Sequence, residues 1–289
     1  MPDLFSELAK AFHEAPLEAE IILVDDGSTD GTLEAARQAA TSSGLEDVRF
    51  LTHRSNRGKT EALLTGAEAA SGDYLVLFDA DLQHAPAEIV RFVQALDSGY
   101  DLVTGRKIGR YEKRLVSGMY NRLSRLIFRV PVHDLNSMKA FRREVIEELE
   151  LREDWHRYLV VLAHERGFRL GEIDIPLYPR RHGHSKYSGR SRILIGSLDL
   201  VAVWFQLVFG RKPLLFFGMT GLALLGLGAL TGALALYLRF GLGQGYRPLL
   251  TLVLLLVLVG LGLFVLGFLA ELIAGLRSEV EALRRDLRR

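Results

Sequence analysis

The chain has 289 residues and a net charge of +1, so it lacks the global basic field that would point to nucleic acid. It has no cysteine, which excludes disulfides, thiolate metal sites and a cysteine nucleophile. Hydrophobic residues make up 49% of it, and the excess is concentrated after residue 190. Residues 1–13 lack the basic n-region and apolar h-region of a secretory leader.

Leu4, Phe5, Leu8, Ala9 and Phe12 have helical spacing, and Pro16 ends that segment. Glu20 to Val24 reads as a short strand running into Asp25-Asp26-Gly27-Ser28-Thr29-Asp30-Gly31-Thr32. That is a strand, a polar turn and a helix start, with Asp30 or Thr32 as the expected N-cap and the helix reaching about Ser43. Val48 to Thr52 is the next strand, and Thr60 to Ala70 is a helix rich in Ala and Gly. Gly58-Lys59-Thr60 looks like the end of a phosphate-binding P-loop, but His53 stands where that motif needs glycine, so it is set aside.

Tyr74-Leu75-Val76-Leu77-Phe78 is an apolar run expected to be a strand buried on both faces. It leads into Asp79-Ala80-Asp81-Leu82-Gln83-His84. In extended backbone, residues two apart point to one side, so both carboxylates can converge on one object. Such hard oxygen donors suit Mg²⁺ or Mn²⁺ better than Zn²⁺. The alternative is that the two acids cap the helix from about Pro86 to Leu96. Leu102 to Gly105 is a further strand. The alternation predicts an α/β fold with a mostly parallel sheet, whose ligands bind beyond the carboxyl ends of the strands. Asp26, Asp79, Asp81 and Arg106 all fall at such ends.

Residues 112–129 read as a basic helix, 133–141 as irregular, 143–150 and 157–166 as helices, and 168–178 as a strand pair or one long edge strand. Residues 179–190 form a basic loop with Arg180, Arg181, His182, His184, Lys186 and Arg190. Attraction to anionic lipid headgroups would by itself account for such a loop. Residues 191–210 read as a helix lying at a membrane interface. Leu214 to Leu238 is 25 residues without a charge, and Leu249 to Ala270 is 22 more. Each is long enough to span a hydrocarbon core of about 30 Å. The flanking Arg211, Lys212, Arg277, Arg284, Arg285, Arg288 and Arg289 place both termini in the cytoplasm by the positive-inside rule. Gly228 and Gly232 form a small-xxx-small pair, read either as a packing seam or as ordinary glycine tolerance. Leu276, Val280, Leu283 and Leu287 suit either a short coiled-coil seam, hence a homo-oligomer, or a helix folded back on the first domain.

Five motifs then occur in order: Val24-Asp25-Asp26-Gly27-Ser28-Thr29-Asp30-Gly31-Thr32, Asn56-Arg57-Gly58-Lys59, Asp79-Ala80-Asp81-Leu82-Gln83-His84, residues 134–142 and residues 180–187. With them the chain resembles the family 2 glycosyltransferases of GT-A fold, in the polyprenyl-phosphate (dolichyl-phosphate mannosyltransferase-like) branch, over about residues 1–210. The resemblance implies inverting, metal-dependent transfer of a sugar from a UDP- or GDP-linked donor to polyprenyl phosphate at the cytoplasmic membrane face. It implies Val24 and Asp26 near the nucleobase, Ala80 and Asp81 at the ribose and diphosphate, and Asp79, Asp81 and Gln83 around Mg²⁺ or Mn²⁺. Arg106, Arg114, Arg180 and Lys186 are implied to hold diphosphate and lipid phosphate, with Asp79, Asp81, Arg106 and Arg114 as the catalytic set. The organisation expected is a GT-A domain over 1–190, an interfacial helix over 191–212, a two-helix hairpin over 213–274 and a basic cytoplasmic helix over 275–289.

One departure stands out. The family usually begins with a strand and a Pro-x-Tyr-Asn-Glu-like turn before the helix that here starts near Leu4, and nothing before Leu4 supplies them. The expectation is a chain that starts late, with a gap in the sheet beside Glu20–Asp25. The competing readings are a processive polysaccharide synthase, whose Gln-x-x-Arg-Trp motif neither Trp155 nor Trp204 follows, and a non-catalytic membrane-bound degenerate transferase.

Overall fold

Strands and helices alternate through the first part of the chain because apolar runs of two spacings alternate there. The computed structural model describes residues 1–287 apart from 16, 46, 110–120, 123, 126, 150, 152–154, 180–202, 206–208 and 211. It divides into two units, Met1–Lys186 and Tyr187–Arg289.

In the first unit, helix α1 spans Pro2–Glu14. There follow β1 (Ile21–Asp25), α2 (Thr32–Ser43), β2 (Val48–Thr52), α3 (Lys59–Ala69), β3 (Tyr74–Leu77), α4 (Glu88–Asp97) and β4 (Leu102–Ile108). Then come β5 (Lys139–Arg142), α5 (Arg143–Glu148), a 3₁₀ turn (Trp155–Tyr158), α6 (Leu159–Glu165) and β6 (Leu170–Pro176). The N-cap of α2 is Gly31, not Asp30 or Thr32. Asp30 instead accepts the amide and hydroxyl of Thr32, closing the turn one residue earlier.

The strands form a parallel pair, β1-β2, and a four-stranded sheet in the order β3-β5-β4-β6. β5 is antiparallel to both β3 and β4, and β6 is parallel to β4. The sheet is therefore mixed. The antiparallel member of the mostly parallel order expected is β5, whose first three residues fall in the 133–141 segment read as irregular. β3 is an edge strand and its residues are half-buried, rather than buried on both faces.

β1 and β3 are not paired, so the sheet is split beside the Glu20–Asp25 segment. Two devices hold the halves together. Amphipathic α1 sends Leu4 and Leu8 into the cluster of Phe92, Leu96, Val103 and Ala140, while Phe5 enters the cluster of Ala36, Ala39 and Ala40. Glu20, just before β1, accepts the amides of Ser71 (2.5 Å) and Gly72 (3.0 Å) ahead of β3, and it also pairs with Arg49 of β2. Ala140 faces the α1–α4 side of the sheet, which puts its neighbour Lys139 on the opposite face.

The second unit contains α7 (Pro213–Leu236), a π-helical turn (Tyr237–Gly241) and α8 (Arg247–Leu287). Both helices are long and apolar enough to cross a membrane. Their leucines and phenylalanines are exposed around most of the circumference, as at Leu222, Leu230, Leu254 and Phe268. Such surfaces suit lipid rather than water, and the chain is a membrane protein. The helices come closest where Gly221 faces Gly260: a Cβ on Gly221 would lie 2.6 Å from the carbonyl oxygen of Gly260. Gly228 and Gly232 pack more loosely, against Val257 and Val253, so the main seam lies about two to three turns before the Gly pair read from sequence. Glu271 Oε2 accepts the Leu214 amide at the start of α7 (3.1 Å), a carboxylate at a helix N-terminus. α8 runs on without a break past Ala270 to Leu287.

Candidate active site at the carboxyl ends of β1 and β3

At the end of β1 the chain turns at Asp26-Gly27. Asp26 Oδ1 accepts the Arg57 amide and Oδ2 the Gly58 amide, both at 2.8 Å, and His53 Nδ1 lies 2.7 Å from Oδ1. His53 Nε2 meets Thr65 Oγ1 at 2.9 Å. With Nδ1 donating to the carboxylate, the neutral ring accepts from the threonine. Partial burial pushes the Asp26 carboxyl up, but the two amides and His53 outweigh it and hold the group below the usual carboxylate range. Gly27 has φ +79°, and a Cβ there would lie 2.6 Å from the Ser55 carbonyl carbon. Only glycine lets the 55–58 segment approach this closely. Both Asp26 oxygens are thus used in building the loop over β1. Val24 Cγ2 lies only 3.3 Å from where a Cβ on Gly66 of α3 would stand.

β3 ends at Leu77, so Asp79, Ala80 and Asp81 lie in a turn and not in extended strand. Leu82 has φ +52°, an uncommon value for leucine, and its side chain is buried in the core cluster with Ile89 and Phe92. The buried Leu82 thus anchors the turn that presents the acids. Asp81 Oδ1 accepts the Gln83 amide at 3.2 Å. The Gln83 carbonyl accepts the Tyr178 amide at 2.9 Å, and His84 Nδ1 lies 3.4 Å from the Pro176 carbonyl, so the turn is tied to the end of β6. Burial lowers the His84 pKa. Ala80 is exposed on the turn.

Asp79 meets Lys59, the first residue of α3, at 2.5 Å. Desolvation raises the Asp79 carboxyl, and Lys59, with Lys139 and His84 further off, more than reverses that. Behind them, Lys107 Nζ donates to the Asn136 carbonyl (2.6 Å) and lies 3.5 Å from Asp134. Lys139 is fully buried and donates to the Ser137 carbonyl at 2.9 Å. Burial, with Lys59 and Lys107 nearby, pushes its ammonium down to about 7. The backbone N–H of His156 donates to Thr60 Oγ1 (3.3 Å), which leaves that hydroxyl free to donate to His156 Nδ1 (2.9 Å). Burial pushes the ring to about 3, so His156 is a neutral strut between α3 and the 3₁₀ turn.

Arg106 corrects an expectation. β4 continues to Ile108, so Arg106 lies within the strand. Its guanidinium makes two hydrogen bonds to Asp174, its register partner on β6. The alternation of side chains across a strand puts Lys107 on the other face. Lys107, not Arg106, therefore stands with Asp134 behind the acids. Arg114, Arg180 and Lys186 lie outside the described residues. Lys59, Lys107 and Lys139 were assigned no role from sequence. The usable signals were Lys59 opening a helix after a strand and turn, and Lys139 as a charge set between Met138 and Ala140-Phe141.

The first unit is thus a mixed α/β fold with two acids on a turn after a strand and lysines close to them. Glucosyl-3-phosphoglycerate synthase from Mycobacterium tuberculosis, crystallised with Mn²⁺, uridine diphosphate and phosphoglyceric acid, superposes with a TM-score of 0.53 at 20% identity, covering 71% of this chain and 73% of that one. The same enzyme with Mg²⁺ and uridine diphosphate gives 0.54 at 21% identity, covering 71% and 74%. These neighbours establish the GT-A fold. The family model of glycosyl transferase family 2 matches residues 4–150. The dodecaprenyl-phosphate galacturonate synthase of Rhizobium johnstonii is 36% identical over 94% of this chain and 82% of its own length. The undecaprenyl-phosphate 4-deoxy-4-formamido-L-arabinose transferase of Aeromonas hydrophila is 31% identical over 98% and 86%. The chain belongs to glycosyl transferase family 2 and is a glycosyltransferase.

Proposed function

We propose that the chain transfers a sugar from a UDP- or GDP-linked donor to the phosphate of a membrane polyprenol, at the cytoplasmic face and with inversion at the anomeric carbon. The observation that carries this reading is the extent of the similarity. It covers 94% of the chain against one polyprenyl-phosphate sugar transferase and 98% against another, so it takes in the membrane hairpin as well as the α/β unit. The organisation that goes with it is a catalytic domain over 1–190, an interfacial helix over 191–212, a hairpin over 213–274 and a cytoplasmic basic tail.

Asp79 and Asp81, with the Gln83 amide oxygen, are the residues to hold a divalent cation. Among the described residues no group of three His, Cys, Asp or Glu is placed for a metal. Two hard carboxylates, one of them about half exposed, are nevertheless the sparse set that suits Mg²⁺ or Mn²⁺ when waters and substrate phosphates complete the shell. When bound, the cation stabilises the charge developing on the departing nucleoside diphosphate. The acceptor is a phosphate monoester with a second pKa near 6, largely ionised at pH 7, so its oxygen attacks the anomeric carbon without a strong general base. The chain's own task is to gather two anions and orient them. Lys107 and Lys139 supply positive charge behind the acids, and Arg114, Arg180 and Lys186 remain assigned to phosphate. Arg106 is free for that role only if Asp174 releases it.

The test is sugar transfer in membranes supplied with undecaprenyl phosphate, Mg²⁺ or Mn²⁺, and radiolabelled UDP- and GDP-sugars. Label should enter the lipid phase, and Asp81→Ala should reduce it roughly 10²–10³-fold, the scale of removing one preorganised electrostatic group. Lipid labelling that Asp81→Ala leaves intact would overturn the assignment.

A further inference from the structure

The Gly58-Lys59-Thr60 turn is no P-loop, yet its lysine reaches the acids. Lys59 and Asp79 are 2.5 Å apart, with side chains 38% and 52% exposed. Two more ammonium groups stand behind this pair, Lys107 from β4 and Lys139 from β5. Lys107 has Asp134 at 3.5 Å. Among the described residues Lys139 has no carboxylate in ion-pair range, and its ammonium donates to the Ser137 carbonyl. Asp79, Asp81 and Asp134 are the carboxylates of this region, and of the three lysines the buried Lys139 is the one without a carboxylate in ion-pair range among the described residues.

A structural role accounts poorly for this arrangement. An exposed ion pair contributes little to stability, and a buried ammonium is usually bettered by an apolar side chain of similar volume. We infer that the Lys59–Asp79 pair is a latch: Lys59 stands where a divalent cation would meet Asp79, and Asp79 stands where phosphate oxygens would meet Lys59, Lys107 and Lys139. Two cations repel at one carboxylate, so with a divalent cation on Asp79 the flexible lysine stem swings away. Its ammonium then joins Lys107 and Lys139 as a site for phosphate oxygens. These belong either to the donor diphosphate or to the acceptor monoester. The naming of those two sources rests on the proposed lipid glycosylation; the latch itself needs only a cation and a phosphate.

The experiment uses the full chain in detergent and needs no sugar transfer. Binding of Mn²⁺ alone is read by electron paramagnetic resonance, and binding of inorganic pyrophosphate with Mn²⁺ present by calorimetry. Undecaprenyl phosphate in phosphatidylcholine vesicles is the second anion, read by co-flotation. Lys59→Met should bind Mn²⁺ alone roughly three- to fivefold more tightly, because the competing ion pair is gone. It should also bind one of the two anions about tenfold more weakly, the scale of a lost charge-assisted hydrogen bond. Weakened pyrophosphate binding assigns the site to the donor, and weakened vesicle binding assigns it to the acceptor. Lys59→Arg, which keeps the charge, should bind Mn²⁺ as the unaltered chain does, and Lys139→Met should lose anion affinity with a smaller gain in Mn²⁺ binding than Lys59→Met shows, because it acts on Asp79 from further off. Unchanged or weaker Mn²⁺ binding by a folded Lys59→Met chain would overturn the latch, as would unchanged binding of both anions. A chain that transfers no sugar to lipid can still pass this test, so the two readings fail separately.

Discussion

In the α/β unit, carboxylates hold loops in place by accepting backbone amides. Asp26 takes those of Arg57 and Gly58, Glu20 those of Ser71 and Gly72, and Glu172 those of His133 and Asp134. In the hairpin, the closest approach is backbone against backbone at Gly221 and Gly260, with apolar side chains around it. The contrast follows from solvent. A half-buried carboxylate in a watery unit is stabilised by several donors at once. In hydrocarbon the same charge is expensive, and close packing of small residues takes over. Glu271 supports the rule by its position, since it meets α7 at the helix end and not along the span.

The largest expected break is on the polar side. Asp26→Ala leaves two amides and His53 without their acceptor and should cost roughly 3–4 kcal/mol, from about 1.5–3 kcal/mol per hydrogen bond to a charged group less relaxation. Thermal unfolding of the solubilised chain checks it, and a loss below the error of the measurement would show that the 55–58 segment holds itself. The pH dependence follows from the same group. Its folded pKa is depressed, so its contribution is complete above the unfolded value of about 3.9 and fades as pH falls through the lower folded value. Asp26→Ala should therefore flatten acid unfolding below about pH 4.

On the apolar side, Gly260→Val should cost about 1–3 kcal/mol by overpacking, read as easier separation of the hairpin in graded detergent, whereas Gly262→Val, with nothing near its Cβ position, should be silent. Lys139→Met sharpens the comparison from the other direction. A buried ammonium without a carboxylate partner should be replaceable at little cost or with a gain. With a folded pKa near 7 against about 10.4 unfolded, its penalty is full below pH 7 and eases as pH rises toward 10. Stability of the unaltered chain should rise over that range, and that rise should shrink in Lys139→Met. The smallest effect is Arg106→Gln, where an exposed pair with Asp174 is lost and unfolding should be indistinguishable from the unaltered chain.

Most elements were legible because their apolar spacing is regular: α1, β2, α3 and the first membrane helix follow their patterns to within a few residues, whereas α8 continues to Leu287, past the apolar run that ends at Ala270. β5 was hidden because only four residues form it and their central position in the sheet depends on partners far away in sequence. The same long-range pairing decides which face Lys107 and Arg106 take, and no local pattern carries that. The position of the two acids of the candidate site, just after a strand, was readable from the sequence. Their cations were not, because Lys59, Lys107 and Lys139 come from three elements that only the fold brings together. The Gly221–Gly260 seam was missed for a similar reason, since it pairs one glycine from each helix.

α8 is a single helix of 41 residues. At 1.5 Å per residue it is roughly 60 Å long, about twice the thickness of a hydrocarbon core. If Leu249 to Ala270 occupies that core, the remaining turns to Leu287 carry the basic tip roughly 25 Å beyond its edge. No proline or glycine interrupts the chain after Gly275. The end of α8 is therefore a fixed-height post and not a tether. Shortening it by two turns would lower its tip by about 11 Å, a change that energy transfer from a labelled tip to a lipid-surface dye would read directly.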